Sequence, residues 1–195
     1  GESKVGLAQE RLRSISLIPP DASAHTDASR AIEDADLIIL GPGSIFTSIV
    51  PNLLVRDIAA AVANSKALKL FVCNVAEEPG QTTGYSVLDH LNVVRHYGGA
   101  GSVDIVVANN NLLRGRPTPG IYLIPPKDSW EDPAIAIWED VIDEHTPTRH
   151  DPEKIAGIIA ATYQKHRGAR RRFPHLWRRL KGLSPLPNGS TPMAT

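Results

Sequence analysis

The chain has 195 residues, 42% of them apolar, which suffices for one packed domain and excludes wholesale disorder. A single cysteine, Cys73, excludes an internal disulfide, and its place in the apolar run Leu70-Phe71-Val72-Cys73 marks a buried thiol. The formal charge of zero hides a segregation: eight of the 21 Lys/Arg follow Gln164 with no Asp or Glu among them, so residues 1–164 carry 13 Lys/Arg against 21 Asp/Glu, or −8, which argues against nucleic acid on that acidic body.

The start, Gly1-Glu2-Ser3-Lys4-Val5, lacks the apolar core of a signal peptide and also lacks an initiator Met, so a piece of a longer chain is expected. No apolar stretch reaches the roughly 18–20 residues that span a bilayer, and a cytoplasmic location is expected. Residues 14–18 alternate and stop at Pro19-Pro20, predicting a strand. Thr26 or Asp27 can cap a helix to about Asp34, with Ala28, Ala31, Ile32 and Ala35 at helical spacing. Residues 37–40 are a second predicted strand, ended by Gly41-Pro42-Gly43. Pro51 then opens a helix to about Ala63, its apolar face made by Leu53, Leu54, Ile58, Ala61 and Val62.

A strand at residues 68–73, a polar loop at 74–85 and a helix capped by Ser86 come next. That helix carries Val87, Leu88, Leu91 and Val94 inward and stops at Gly98-Gly99. Residues 104–108 form a further strand. Residues 120–124 read as another, and residues 129–144 are acidic, proline-broken and unassigned. Asp151-Pro152 starts a helix to about His166. The expected organisation is a domain over residues 1–164 and a basic, Pro/Gly/Ser-rich, poorly ordered tail over 165–195. A solubilising extension is the favoured reading of that tail; contact with an anionic lipid or nucleic-acid surface is the alternative.

Near-continuous apolar strands joined by helical crossovers predict an α/β fold. It is a doubly wound, Rossmann-like, mostly parallel sheet with helices on both faces. Ligands of such sheets bind outside the carboxyl ends of the strands, where the loops 41–48, 74–85 and 109–111 collect. In the first loop Gly41 and Gly43 allow close backbone approach to an anion, and Ser44, Thr47 and Ser48 add hydroxyls. The loop lacks the Gly-Lys-Ser/Thr of a Walker site, and Phe46 stands where a Gly-x-Gly-x-x-Gly motif needs its third glycine. Phosphate binding and a plain helix-capping turn are evenly matched on these residues. In the second loop Asn74, Thr82 and Tyr85 offer polar groups, and its length favours function.

Asp89 stands three residues after Ser86, as in a capping box, and His90 follows it; both are candidates for the ligand edge as well as for structural roles. His150 precedes the Asp151 cap and reads as structural. No Cys/His or Asp/Gly spacing suggests a metal site.

The run Gly41-Pro42-Gly43-Ser44-Ile45-Phe46-Thr47-Ser48, continuing to Val55, resembles the signature of the bacterial gluconeogenesis-factor family, relatives of the archaeal 2-phospho-L-lactate transferase. Ser65-Lys66-Ala67, Val72-Cys73-Asn74-Val75, the Pro79-Gly80 to Asp89-His90 segment and Arg149-His150-Asp151-Pro152 extend the resemblance over residues 36–108 and 149–160. It implies a doubly wound fold and a ligand carrying phosphate: a nucleotide, a nucleotide sugar or NAD. It also implies that this chain is the C-terminal portion of the family fold, without the N-terminal glycine-rich and aspartate-rich loops that complete the site. Gln81 departs from the family, which usually has Glu there.

The resemblance implies a regulatory protein of carbon metabolism and cell shape that binds a nucleotide or UDP-sugar. A first alternative is a transferase that moves a phospholactyl group to a deazaflavin with Mg2+. A second is an interaction module whose glycine loop is structural. The expected partner is a phosphate-containing small molecule, and self-association as a homo-oligomer is a further expectation.

Overall fold

The computed structural model describes residues 12, 15–112, 124 and 129–172, with side chains through Arg167. Four strands form one parallel sheet in the order β1-β2-β3-β4: β1 Leu37–Leu40, β2 Leu68–Val72, β3 Ile105–Asn109 and β4 Ile135–Glu139. Leu37 pairs with Leu68, Leu70 with Ile105, and Ile105 with Ile135, so the carboxyl ends of all four strands lie along one edge. Helices are α1 Thr26–Asp34, α2 Val50–Leu53, α3 Arg56–Asn64, α4 Val87–Gly98 and α5 Pro152–Arg172. Among the described residues no single helix is long and apolar enough to cross a membrane.

The alternation of side chains across the sheet explains why helices cover both faces. Phe71, Val106 and Ala108 point to one side, against Ile49, Leu53, Leu91 and Val94. Leu68, Leu70, Val72, Ile105 and Val107 point to the other, against Val141 and Ile142 of the segment leading into α5 and Ile155 in its first turn. The central strands β2 and β3 are buried along their whole length. Each such Leu, Ile or Val contributes about 1.5–3 kcal/mol relative to exposure. Cys73 is fully buried at the end of β2, and burial pushes its thiol far above its ordinary range, so it is inert packing.

The structure departs from the sequence reading in five places. Residues 15–18 form no strand; Leu12 and Ile15 pack against the core instead, while Ile18 is 96% exposed. Among the described residues no strand lies beside this run to complete a ladder. Helix α1 is capped by His25, whose Nδ1 accepts from the Asp27 N–H at 3.2 Å, rather than by Thr26 or Asp27. The helix expected from Pro51 to Ala63 breaks at Leu54-Val55, where Val55 is extended, and the segments on either side meet at 84°. The unassigned acidic stretch holds β4, an edge strand whose polar neighbours mask its short apolar run. Finally, α5 runs past the expected boundary to Arg172, the Ala and Arg residues favouring helix against the cost of Gly168. The strand expected at 120–124 lies outside the described residues except for Ile124, which is buried and donates its N–H to the Val75 carbonyl at 3.0 Å. The remainder of the tail also lies outside them.

Candidate functional site

The first loop leaves β1 through Gly41, whose φ of +84° is a conformation that L side chains rarely adopt. A Cβ there would stand 2.8 Å from the Val72 carbonyl oxygen, so this glycine is demanded by the passage of the loop under the end of β2. Gly43 backs onto the Ser48 side chain. From Ile45 to Ile49 the chain forms a wide π-helical turn, with the Ile49 N–H donating to the Ser44 carbonyl at 3.1 Å, which runs directly into α2. Such turns recur at functional sites. Thr47 is half-buried and Ser48 exposed, the Ser48 carbonyl accepting from Asn52 Nδ2 at 2.7 Å.

The loops that follow β1 and β2 meet through one carboxylate. Ser44 Oγ donates to Glu78 Oε2 at 2.7 Å and lies 3.2 Å from Gln81 Oε1. Asn74 Nδ2 donates to Glu78 Oε1 at 3.4 Å. The loop that presents Glu78 is shaped from within. The Thr82 side chain is fully buried, and its hydroxyl accepts the Glu78 N–H at 2.9 Å while its own N–H closes the turn onto the Glu78 carbonyl. Thus Ser44 and Asn74 come together as the sequence suggests, Thr82 stands behind them as a support, and Glu78 is the junction that residue types alone did not single out.

Tyr85 marks the other side of this region. Its ring meets Phe46 edge-on at 6.2 Å and His90 edge-on at 5.5 Å. His90 is fully buried, its Nδ1–H donating to the Ser86 carbonyl at 2.8 Å, and burial holds its pKa below the ordinary value. Its other ring nitrogen, Nε2, is buried and has no hydrogen-bond partner among the described residues. Asp89 completes the capping box: its Oδ2 accepts from the Ser86 N–H at 2.7 Å and hydroxyl at 2.6 Å, and its N–H donates to Ser86 Oγ at 3.2 Å. A cleft of about 530 Å³ runs along α4 between Phe46, Tyr85, Asp89, Asn92, His96 and Tyr97.

Beyond β3 the edge continues with an asparagine cluster. Asn109 Oδ1 accepts the N–H groups of Asn111 at 3.2 Å and Val141 at 3.3 Å, and Asn110 Nδ2 donates to the Trp138 carbonyl at 3.0 Å. Lys154 Nζ donates to Asp140 Oδ2 at 2.7 Å and to the Ile142 carbonyl at 3.1 Å, tying α5 to the end of β4. His150 reaches back to the end of β2, its Nε2–H donating to the Cys73 carbonyl at 3.0 Å. Burial lowers its pKa, so it is neutral at pH 7. Sequence reasoning gave His150 a local role; only the position of its loop at the strand edge, opposite β2, could have signalled the longer reach.

The geometry is thus a parallel sheet whose carboxyl edge gathers a glycine–hydroxyl loop and a carboxylate loop, with β2 between them. The model of the family described as 2-phospho-L-lactate transferase CofD matches residues 1–116, which contain both loops. The chain belongs to the CofD family. A relative from Nostoc sp. strain PCC 7120 is 48% identical over 173 residues, covering 84% of this chain and 38% of that protein. The gluconeogenesis factor of Bacillus subtilis strain 168 is 37% identical over 167 residues, covering 82% of this chain and 53% of its own length. A crystal structure of a UPF0052 family member from Bacillus halodurans superposes with a TM-score of 0.69 at 29% identity, over 82% of this chain and 54% of that one. This CofD-family chain therefore spans about half or less of the relatives it matches, and its α/β architecture is theirs.

Proposed function

We propose that this chain forms one wall of a nucleotide- or nucleotide-sugar-binding site in a cytoplasmic regulatory protein of carbon metabolism and cell shape. The observation that carries the reading is the hydrogen bond from Ser44 to Glu78, which draws two polar loops from successive parallel strands together at the carboxyl edge. The likeness to gluconeogenesis factors supports the regulatory role. Gly41, Gly43 and the start of the helical turn at Ile45 offer backbone toward a phosphate, with Thr47 and Ser48 beside them. Asn74, beside Glu78, and Tyr85, beside the cleft along α4, would bound the ligand, and Thr82 supports the loop that presents Glu78.

The test is calorimetric titration of the intact protein with UDP-glucose and NAD. Saturable binding weakened at least tenfold in Ser44→Ala/Thr47→Ala supports the reading. Binding unaltered in that variant points to a structural glycine loop.

The family description favours a second reading, transfer of a phospholactyl group to a deazaflavin. Among the described residues no three His, Cys, Asp or Glu side chains converge as a metal site, so no step of that reaction is assigned to a metal held by them. Incubation of the intact protein with an activated phospholactate donor, a deazaflavin acceptor and Mg2+ decides it. A phosphodiester product establishes the transferase, and its absence alongside tight UDP-glucose binding favours the regulatory role.

A further inference from the structure

We infer that Glu78 reads the hydroxyl groups of the ligand, accepting hydrogen bonds from a vicinal diol of a ribose or hexose ring, and that phosphate is kept away from the Ser44 side chain. The inference rests on the nucleotide-binding reading above and says which part of the ligand meets which wall.

A carboxylate accepts through about four lone-pair positions and donates nothing. At Glu78, Ser44 Oγ takes one at 2.7 Å and Asn74 Nδ2 takes another at 3.4 Å. Among the described residues no Lys, Arg or His forms an ion pair with Glu78. Glu78 is partly buried rather than enclosed, and two of its lone-pair positions are left for donors that a ligand brings.

The orientation of Ser44 strengthens the case. Its one hydroxyl proton is best placed for Glu78 Oε2 at 2.7 Å, with Gln81 Oε1 at 3.2 Å as a second acceptor, so while that bond is made the Ser44 oxygen has only lone pairs to offer a ligand. The acceptors of the corner are the Glu78 carboxylate and the Ser44 oxygen, and its donors are the amide N–H groups of Asn74 and Gln81. Phosphate oxygens are acceptors too and carry negative charge, so at Glu78 and Ser44 they face both a hydrogen-bond mismatch and repulsion from the Glu78 carboxylate. Sugar hydroxyls carry the missing donors. An acidic side chain that accepts from a ribose hydroxyl is a recurrent device at the carboxyl edge of parallel sheets. Gln81 fits this arrangement, since its neutral amide leaves one carboxylate in the corner rather than two like charges on one hydroxyl.

The experiment is titration calorimetry of the intact protein in EDTA, with UDP-glucose, its 2′-deoxyribose counterpart and UDP-2-deoxyglucose, in wild type and Glu78→Gln. The expected result is a loss of at least tenfold in wild type for one of the two deoxy ligands, which identifies the ring that is read. In Glu78→Gln that penalty shrinks to less than threefold, a change in ratio that mere loosening of the loop does not produce. If that variant does not fold, Glu78→Asp, which withdraws the acceptor while keeping its charge, is read by the same ratio. Equal deoxy penalties in wild type and variant, or none in wild type, overturn the assignment of Glu78 while leaving the site reading intact. Affinity that appears only with Mg2+ and vanishes in Glu78→Gln overturns it in favour of a cation on the carboxylate. Wild-type protein that binds neither UDP-glucose nor NAD overturns the site reading and this assignment with it.

Discussion

His150 and Cys73 lie 77 positions apart, and the histidine donates its Nε2–H to the cysteine carbonyl at 3.0 Å. The bond fixes the loop before α5 against the end of β2, so the segment after β4 and the centre of the sheet share one edge. It also sets the tautomer, because a carbonyl can only accept, and leaves Nδ1 as the bare nitrogen.

That bond makes stability depend on pH. Burial holds both His150 and His90 below the ordinary histidine pKa, against the pull of their hydrogen bonds to backbone carbonyls. For a base whose folded-state pKa is lowered, the unfolded chain takes up its proton first as the pH falls. Full stability is therefore present above the unfolded value of about 6.5 and is lost progressively below it, down to the folded-state values. The melting temperature is expected to be flat from about pH 8 to 7 and to fall below about pH 6.5, by roughly 2–4 °C for each kcal/mol lost. His150→Gln keeps a donor for Cys73 without the titration, and His90→Asn does the same for Ser86. Thermal melts across this range check the point: the double variant is expected to fall less steeply than wild type, and an unchanged slope assigns the acid sensitivity to other groups.

Gly41→Ala is expected to cost about 1–3 kcal/mol, because it places a side chain at φ +84° and drives a Cβ to 2.8 Å from the Val72 carbonyl. The loop can relieve that contact only by withdrawing from β2, which also moves Ser44 away from Glu78. Urea denaturation should show a lower midpoint, and UDP-glucose affinity should fall with it. A midpoint equal to wild type would falsify the claim that this glycine is fixed by close approach.

Lys69 tests the opposite end of the sheet. It is fully buried in β2, its Nζ donating to the carbonyls of Ser65 at 2.9 Å and Ala67 at 3.4 Å and standing 3.8 Å from Asp104 Oδ2. The same Asp104 oxygen accepts the Lys69 N–H at 3.0 Å. Lys69→Met removes the cation and leaves a largely buried carboxylate, which is expected to cost about 3–5 kcal/mol. The double variant Lys69→Met/Asp104→Asn removes both charges and is expected to recover a good part of that loss. Denaturant midpoints of the two single variants and the double one measure the coupling, and strict additivity denies it.

What could be read from the residues follows from where the chemistry is local. The strands at 37–40, 68–73 and 104–108 were legible within about a residue because buried parallel strands are continuous apolar runs. The Ser86–Asp89 box was legible because all its bonds span three positions. The Ser44–Glu78 bond was not, since it joins positions 34 apart and depends on the parallel register of β1 and β2. β4 was hidden because its Ile135-Ala136-Ile137-Trp138 run is bracketed by acidic residues and only half-buried. The break at Leu54-Val55 was hidden because apolar periodicity runs through it while the backbone of Val55 does not.

Asp89 separates structural from ligand-edge roles. All of its described hydrogen bonds lie within the capping box, to the Ser86 N–H, to the Ser86 hydroxyl and from its own N–H. Losing the side chain orphans a donor at the start of α4 and removes a negative charge from the positive end of the helix dipole. Asp89→Ala is therefore expected to destabilise by about 0.5–2 kcal/mol. Asp89 also borders the cleft along α4, but its carboxylate is taken up by Ser86 and the Ser44, Asn74 and Glu78 junction does not include it, so UDP-glucose affinity is expected to stay within about twofold. Paired measurements of the unfolding midpoint and of affinity on the folded variant decide between the roles. A tenfold loss of affinity with an unchanged midpoint would move Asp89 from the helix cap to the ligand edge.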